Sequence, residues 1–365
     1  MDRIYNFGAG PAMLPKEVFE RARAELFLLD GAIPLPEADP SSEKFKKILR
    51  ACETNIRKLM NIPSNYRVIF VDGAGMTQFS AIPMNLLSER KRADYIVTGQ
   101  YSNMAYHEAK KYGDIIIAAS SAGANPIFSA IPKVSSSDFR PDADYVYMCY
   151  NNAIYGTKFD EIPDTGNIPL VADMTSSILS EPIEVPRFGM IYADLSVAIA
   201  PAAITLIVIR EDLIGNARPD TPVALSYKNL ADGGVYSGTA IYGVYMVNLV
   251  LEWIISLGGL DEMKRRNERK AGQLYDFIDG HEYFTASANK RFRSMTNVIF
   301  TTGVPELDNK FISLAREQGL YNLEGHMSVG GMRASLYNAM AYDGVDRLIR
   351  LMQKFMRENP KFDDL

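Results

Sequence analysis

The sequence predicts an α/β protein with a mostly parallel central sheet that is covered by helices on both faces. Short, nearly continuous apolar runs recur between residues 67 and 209, as expected for strands that are buried on both sides. Stretches with the apolar spacing of helices separate these runs, a pattern typical of parallel strands with crossover helices. The chain has 365 residues and is 47% hydrophobic, so it can bury a large core. Ligands of such sheets bind beyond the carboxyl ends of the strands, where we expect the functional residues.

The elements can be assigned in chain order. Residues 16–29 have the apolar spacing of a helix, and the proline- and acid-rich residues 31–42 predict a loop. Ser42 can cap a second helix that runs to about Met60. The apolar runs predict strands over residues 67–71, 94–98, 115–118, 145–149, 170–173, 190–193 and 205–209. Further helices are predicted over residues 77–87, 103–112, 241–257 and 260–278, and further strands over residues 297–300 and 331–335.

Two domains are expected from the length and from the order of these elements. The seven strands and their helices form a large domain over residues 16–262. Residues 1–15 and 263–365 together form a smaller α/β domain.

The composition excludes several classes of partner. Charged residues make up 23% of the chain and the net charge is −5, which argues against nucleic acid or an anionic membrane as a partner. The longest apolar run, residues 199–209, is shorter than the roughly 20 residues that a membrane-spanning helix needs. The N-terminus lacks the apolar run of a secretory signal, so we expect a cytoplasmic protein.

Cysteine and histidine usage gives no metal site. Cys52 and Cys149 lie in apolar surroundings without metal-ligand spacing, which favours buried thiols in a reducing compartment. The three histidines, His107, His281 and His326, are far apart in the sequence, so no zinc site is predicted.

Two short motifs could carry chemistry. Residues 73–79 form a glycine-rich turn that follows a strand and opens a helix, where backbone amides can bind a phosphate. The alternative is an ordinary tight turn, because a glycine turn alone is a weak signal. Asp173 ends a predicted strand, so it lies at the edge where ligands bind, or else it caps the next segment.

Three longer motifs carry a resemblance to a known family. They are YNFGAGPAMLP at residues 5–15, the run over residues 191–210, and GGMRASLYNAM at residues 330–340. The chain resembles the phosphoserine aminotransferases, a branch of the class-V pyridoxal-phosphate (PLP) aminotransferases of fold type I, almost from end to end. The resemblance implies PLP as cofactor, a homodimer, and the transfer of an amino group from glutamate to 3-phosphohydroxypyruvate in serine biosynthesis.

The resemblance also implies roles for individual residues. The family's phosphate loop falls on Ala74, Gly75, Met76 and Thr77, and Thr77 could add its hydroxyl as a donor. Asp173 matches the aspartate that pairs with the pyridine nitrogen and keeps the ring an electron sink. Tyr101 stands where the family stacks a tryptophan on the ring, and an aromatic face is retained there. Arg333 matches a clamp for a substrate carboxylate, and His326 is retained from the family's substrate-binding set.

The position of the Schiff-base lysine departs from the family. The family run reads roughly Tyr-Ala-Gly-Ala-Gln-Lys-Asn, and here Ser196 and Val197 replace the glutamine and the lysine. Ala200 and Ala203 replace the glycines that follow. Lys228 is not expected to substitute for the lost lysine, because the family often has a noncatalytic lysine in that segment.

Other family positions are replaced as well. Ala153 stands for a threonine near the ring hydroxyl, residues 237–240 for the Asn-Thr-Pro-Pro segment that reaches across the dimer, and Gly8 for a serine. Met327 replaces the arginine expected after His326. The family's Ser-His-Arg-Gly run falls within residues 38–44, which offer Asp39 and Glu43 instead of cations.

These departures predict a family member that has lost transaminase activity and has no catalytic residue at position 197. It would act by binding a partner or a small ligand, with a small anionic metabolite as one candidate. PLP, if bound, would be weak and noncovalent, resting on Asp173, Tyr101 and the loop over residues 73–77, with residues 235–240 facing the pocket of the partner subunit. Two alternatives stay open: an enzyme with different, lysine-independent chemistry, and a genuine phosphoserine aminotransferase by descent.

Overall fold

A computed structural model of the chain describes residues 4–25, 34–37, 39–200, 203–233 and 238–361. It confirms an α/β fold with a mostly parallel central sheet. The described helices are α1 Lys16–Glu25, α2 Glu43–Met60, α3 Gln78–Leu86, α4 Gln100–Ala109, α5 Leu195–Ala198, α6 Tyr227–Ala231, α7 Gly238–Ser256, α8 Leu260–Asp279, α9 Pro305–Glu317 and α10 Tyr342–Glu358. The described strands are β1 Tyr5–Asn6, β2 Tyr66–Asp72, β3 Arg92–Val97, β4 Asp114–Ser120, β5 Tyr145–Cys149, β6 Asn151–Asn152, β7 Thr157–Lys158, β8 Leu170–Asp173, β9 Met190–Asp194, β10 Ile204–Arg210, β11 Thr285–Ala286, β12 Asn297–Thr301, β13 Leu320–Tyr321 and β14 Met332–Ser335.

The central sheet has seven strands in the order β2-β10-β9-β8-β5-β3-β4. Strand β10 is antiparallel to both of its neighbours, while every other neighbouring pair is parallel. Six strands therefore run in one direction, and their carboxyl ends lie along one edge. At that edge Asp173 is in register with Cys149 on one side and with Tyr192 on the other. This register brings the ends of β5, β8 and β9 together.

Helices cover both faces of the central sheet. One apolar cluster includes α2 and α7 and packs against side chains such as Ile191 and Leu206. The opposite face carries a second cluster with α3 and α4, which includes Tyr95, Tyr147 and Tyr192. Both faces are buried, which explains why the strands appear in the sequence as continuous apolar runs.

The predicted elements match the observed ones with small shifts at their ends. Ser42 caps α2 as predicted, since its side chain accepts a hydrogen bond from the amide of Phe45. The helix predicted over 103–112 begins three residues earlier, because the Ser102 hydroxyl accepts the amides of Thr98 and Gly99 and fixes the helix start. The first helix is described only to Glu25, so the remainder of its predicted range lies outside the described residues.

A second sheet of three strands, β11-β12-β14, lies in the C-terminal part of the chain. With α8, α9 and α10 it forms an apolar cluster that also takes in Phe7. Strand β1 pairs in parallel with β13, so residues from both ends of the chain meet here. The division of the chain into domains near residue 262 stays a prediction.

Membrane-spanning segments were sought among the described residues. There, no individual helix combines the length and the hydropathy needed to cross a bilayer. Residues 241–256 and 260–279 reach that threshold only as a joined pair, and the two helices meet at an angle of 87°.

Candidate functional site

A cavity of about 170 Å³ lies at the carboxyl edge of the central sheet. It is enclosed by the end of β8, the turn after β2, the start of α4, helix α5, and Arg333 from the second sheet. Its lining residues are Ala9, Ala74, Gly75, Met76, Phe79, Tyr101, Cys149, Asn151, Ala153, Ile154, Asp173, Thr175, Ser176, Asp194, Val197 and Arg333. Six predicted site residues, Ala74, Gly75, Met76, Tyr101, Asp173 and Arg333, are among them.

Asp173 is the buried carboxylate of the cavity, with only 6% of its surface exposed. Its Oδ1 accepts the amide of Thr175 at 2.9 Å, and its Oδ2 accepts the hydroxyl of Tyr192 at 3.0 Å. Burial raises the pKa of the Asp173 carboxyl, and the hydrogen bonds from Thr175 and Tyr192 oppose that rise. The side chain is therefore held in one orientation at the floor of the cavity.

Buried tyrosines on one face of the central sheet extend the hydrogen bonding of Asp173 through Tyr192. The hydroxyl of Tyr192 is also 2.8 Å from that of Tyr147, whose ring stacks on Tyr95 with centroids 4.7 Å apart. The hydroxyl of Tyr95 is 3.0 Å from that of Tyr145. Burial raises the pKa of each of these phenols, so they remain neutral hydrogen-bonding groups.

The glycine-rich turn lies beside a second carboxylate. Residues 75–77 form a single 3₁₀ turn that leads into α3. The amide of Gly75 donates to Oδ2 of Asp194 at 2.9 Å. A Cβ atom on Gly75 would lie 2.9 Å from the Cβ of Asp194, so glycine is required for this close approach. The Gly75 amide is thus already bonded within the protein.

Val197 lies in α5 and faces the N-terminal segment. Its carbonyl accepts the amide of Ala12 at 2.9 Å. Gly10, with a φ of 145°, approaches so closely that an added Cβ would lie 3.2 Å from the Cα of Val197. Val197 therefore presents an isopropyl group to the cavity and offers neither a nucleophile nor a base.

Arg333 is the cation of the cavity. It comes from β14, and none of the described residues hydrogen-bonds its buried Nε. Burial lowers the pKa of its guanidinium, which nevertheless stays charged at any physiological pH. Tyr101 lies nearby on α4, and burial raises the pKa of its phenol while the charge of Arg333 opposes the rise. An unpartnered guanidinium beside a cavity is suited to an anionic group of a ligand.

A buried polar network joins the cavity wall to the second sheet. The Nδ2 of Asn151 donates to Ser176 Oγ at 2.7 Å and to Asn297 Oδ1 at 2.9 Å. Asn297 in turn donates to Ser335 and to the hydroxyl of Tyr337. These bonds fix β12 and β14 against the wall of the cavity and therefore fix the position of Arg333.

Three of the predicted site residues lie away from the cavity lining. The hydroxyl of Thr77 donates to the carbonyl of Ala74 at 2.9 Å, and Ser196 donates to Asp194 at 2.5 Å. The Nδ1 of His326 lies 2.7 Å from the hydroxyl of Ser328. Each of these polar groups bonds to a residue two or three positions away in the chain.

Other predicted positions fall outside the cavity or outside the described residues. Asp39 and Glu43 are exposed around the start of α2 and do not line the cavity of their own chain. Residue 38 and residues 234–237, part of the segment predicted to face the partner subunit, lie outside the described residues. No cluster of three or more metal-ligating side chains occurs within the described ranges.

Sequence reasoning missed Asp194, Asn151 and Cys149, all of which line the cavity. Cys149 is a free, buried thiol whose pKa is raised by burial. A signal for Asp194 was present, because the family run has glycine at this position and a carboxylate there adds a charge. Asn151 and Cys149 carry no such signal, since their roles depend on strand register.

Comparison with known proteins identifies the family. The family model Aminotransferase class-V matches residues 4–348. A phosphoserine aminotransferase of Bacillus cereus is 41% identical over 361 residues, covering 98% of this chain and 100% of the relative. One from Pseudomonas putida is 42% identical over 360 residues, covering 98% and 99%.

Solved structures agree with the sequence comparison. The phosphoserine aminotransferase of Bacillus circulans subsp. alkalophilus superposes with a TM-score of 0.94 at 35% identity, covering 98% of this chain and 99% of that one. A PLP-bound phosphoserine aminotransferase from Trichomonas vaginalis gives 0.90 at 31% identity, covering 96% and 100%. The fold is that of a class-V aminotransferase. The chain belongs to this family, and its relatives place it in the phosphoserine aminotransferase branch.

PLP is the cofactor that membership of this family implies. The residues present fit it only in part. Asp173 and Tyr101 retain the groups that suit a pyridine ring, but Val197 cannot hold the cofactor covalently. Asp194 already accepts the Gly75 amide in the glycine-rich turn, and its negative charge opposes a phosphate there. The cavity of this chain therefore does not match a covalently bound, phosphorylated cofactor.

Proposed function

We propose that this chain is a member of the phosphoserine aminotransferase branch that no longer transaminates and instead binds a small ligand in the cavity at the sheet edge. The observation that carries the proposal is Val197 at the position of the family's lysine. Transamination needs an amine that holds the cofactor and then moves a proton between substrate and cofactor. Loss of a general acid–base group alone costs roughly 10²–10⁴ in rate.

No other amine supports catalysis in this cavity. Among the described residues no lysine lines it, and Lys228 lies in α6, outside the lining. The loss is not confined to one position, because Ser196 is bonded to Asp194 and Ala153 offers no hydroxyl. Groups that act as one catalytic unit are strongly non-additive, so this combination argues against residual transamination.

We also propose a homodimer in the cytoplasm, with a domain division near residue 262. The polar network at Asn151 supports a scaffold that still folds, and the resemblance to the family, which includes the motif at 330–340, supports the dimer. Interfaces of this obligate type typically bury more than about 2,000 Å² in total. Sedimentation at micromolar concentration tests the dimer, and a monomer would contradict it.

The test of the proposed function is a coupled assay of phosphoserine with 2-oxoglutarate at saturating PLP. We expect glutamate formation no faster than in a blank without protein. An authentic phosphoserine aminotransferase from a relative serves as the positive control. Robust turnover by the wild-type chain would refute the loss of activity.

A further inference from the structure

The Gly75 amide and the Asp194 carboxylate form a contact that an anion-binding loop would otherwise make with its ligand. A loop that binds phosphate at the start of a helix leaves its backbone amides free to donate to the anion. Here Asp194 Oδ2 accepts the Gly75 amide at 2.9 Å. The carboxylate of Asp194 therefore occupies the place at the Gly75 amide that a bound anion would otherwise take.

Asp194 is fixed in this position by several further contacts. Its Oδ1 accepts the amide of Ser196 at 3.0 Å and the hydroxyl of Ser196 at 2.5 Å, so the carboxylate also caps α5. Its own amide donates to the hydroxyl of Thr175 at 3.1 Å. A phosphate could reach the Gly75 amide only by breaking a set of bonds that the folded chain already makes.

The charges that line the cavity oppose an anionic ligand. Asp173 and Asp194 contribute two carboxylates, and Arg333 contributes one guanidinium. The lining thus carries more negative than positive charge, and like charges at contact distance repel strongly where water is excluded. A ligand with a net negative charge, such as a phosphate ester, is disfavoured.

Arg333 and Asp173 can still bond to a zwitterion, a ligand that carries one positive and one negative charge. Arg333 lines the cavity and forms no ion pair with any of the described residues, so its guanidinium can pair with a carboxylate. Asp173 accepts bonds from Thr175 and Tyr192, and an ionised carboxylate has about four acceptor sites, so sites remain for an ammonium group. One carboxylate and one ammonium on the same carbon atom are the shared feature of free α-amino acids.

We propose that Asp194 is a built-in substitute for the cofactor phosphate, and that the cavity binds a free α-amino acid without an acidic side chain. The carboxylate of the ligand pairs with Arg333 and its ammonium group with Asp173 and Asp194. This inference rests on the proposed function, because it assigns the ligand of a cavity that does not transaminate.

Calorimetric titration of the 365-residue chain with L-serine and O-phospho-L-serine tests the inference, since the two differ only in the phosphate. We expect L-serine to bind at least tenfold more tightly. Asp194→Asn keeps the size of the side chain and removes its charge. This substitution should weaken the binding of L-serine by tenfold or more. It should also reduce or reverse the preference for L-serine over O-phospho-L-serine. Asp212→Asn is the matched control, because Asp212 is exposed and pairs with Arg210 away from the cavity.

Pyridoxine and pyridoxine 5′-phosphate provide a second pair of probes that lack the aldehyde and cannot react with surface lysines. The wild type should not favour the phosphorylated compound, whereas Asp194→Gly should favour it by tenfold or more. Thermal unfolding of each variant confirms that it is folded. If either Asp194→Gly or Asp194→Asn does not fold, the other variant takes its place in the test.

Two results would overturn the inference. One is tighter binding of either phosphorylated probe by the wild type, and the other is no heat from millimolar L-serine, L-alanine or L-lysine with the folded wild type. Both are distinct from failure of the proposed function, which is turnover of phosphoserine and 2-oxoglutarate.

Discussion

The phenolic oxygen of Tyr192 lies 3.0 Å from Oδ2 of Asp173 and donates the hydrogen bond that holds this carboxylate against the cost of burial. Both residues belong to neighbouring parallel strands and are in register. The contact joins two buried side chains of the protein, so it does not depend on a ligand.

We expect Tyr192→Phe to lower the free energy of unfolding by about 1–3 kcal/mol, because Asp173 would keep its charge and lose a buried donor. The pKa of Asp173 should rise further in this variant. Urea unfolding at neutral pH measures the loss. Tyr321→Phe, in a partly exposed strand of the C-terminal part, is the control, and an equal effect in both variants would contradict the assigned role.

Restoring the lysine alone should not restore transamination. In Val197→Lys the new ammonium group would lie in the same cavity as Asp194, and the phosphate loop would still be occupied. We expect no glutamate formation above the blank and little covalent PLP after borohydride reduction and intact-mass measurement.

The double variant Val197→Lys with Asp194→Gly should retain more PLP covalently than Val197→Lys, because it frees the Gly75 amide. Val197→Met is the control for side-chain size. Strong rescue of turnover by the single lysine would mean that the remainder of the site is competent.

Lys270 is predicted to stabilise the junction after β14. Its Nζ is buried and donates to the carbonyls of Leu336 at 3.0 Å and of Tyr337 at 2.8 Å. Burial lowers the pKa of this amine to about 7. Lys270→Met leaves these carbonyls without their donor and should cost about 2–4 kcal/mol in urea unfolding. Lys264→Met, at a half-buried position of the same helix, should cost less than about 0.5 kcal/mol.

Asp279 provides a prediction of pH dependence. Arg293 donates to both of its oxygens, at 2.7 and 2.8 Å, and these bonds together with Lys290 lower its pKa to about 2. A carboxyl with a lowered pKa contributes stability above its unfolded pKa of about 4, and this stability is lost as the pH falls towards the folded value. Asp279→Asn should therefore be less stable than wild type by up to about 1 kcal/mol at pH 6.

The difference between wild type and Asp279→Asn should shrink steadily between pH 4 and pH 2 in denaturant titrations. Asp276→Asn, an exposed position on the same helix, is the matched control. A difference that stays constant over this range would show that the ion pair is not responsible.

The fold could be predicted from the sequence because strands that are buried on both faces appear as continuous apolar runs. Strand β5 is apolar throughout and β8 is apolar up to its last residue, and glycine and proline occur in the connections between strands. Asp173 was predicted because a charged residue at the end of such a strand must lie at the edge of the sheet. Arg333 was predicted from a motif that the chain shares with the family, and Tyr101 from its place where the family has a tryptophan.

The contact between Asp194 and Gly75 could not be read from local pattern, since the two residues are 119 positions apart. It depends on β2 and β9 ending at the same edge with β10 between them. The hydroxyl of Thr77 and the side chain of Ser196 were predicted to face the cavity, but local partners hold both. The start of α4 was placed three residues late because the side-chain bonds of Ser102 precede any apolar periodicity.

The carboxylate of Asp194 has a consequence for the life of the protein in the cell. A fold that needs a bound cofactor is most stable only when that cofactor is plentiful, because binding to the native state adds to its stability. In this chain the Gly75 amide keeps its hydrogen bond whether or not a phosphate is near. The abundance of the protein should therefore be insensitive to vitamin B6 starvation, a condition in which cofactor-dependent relatives are left with an unfilled site.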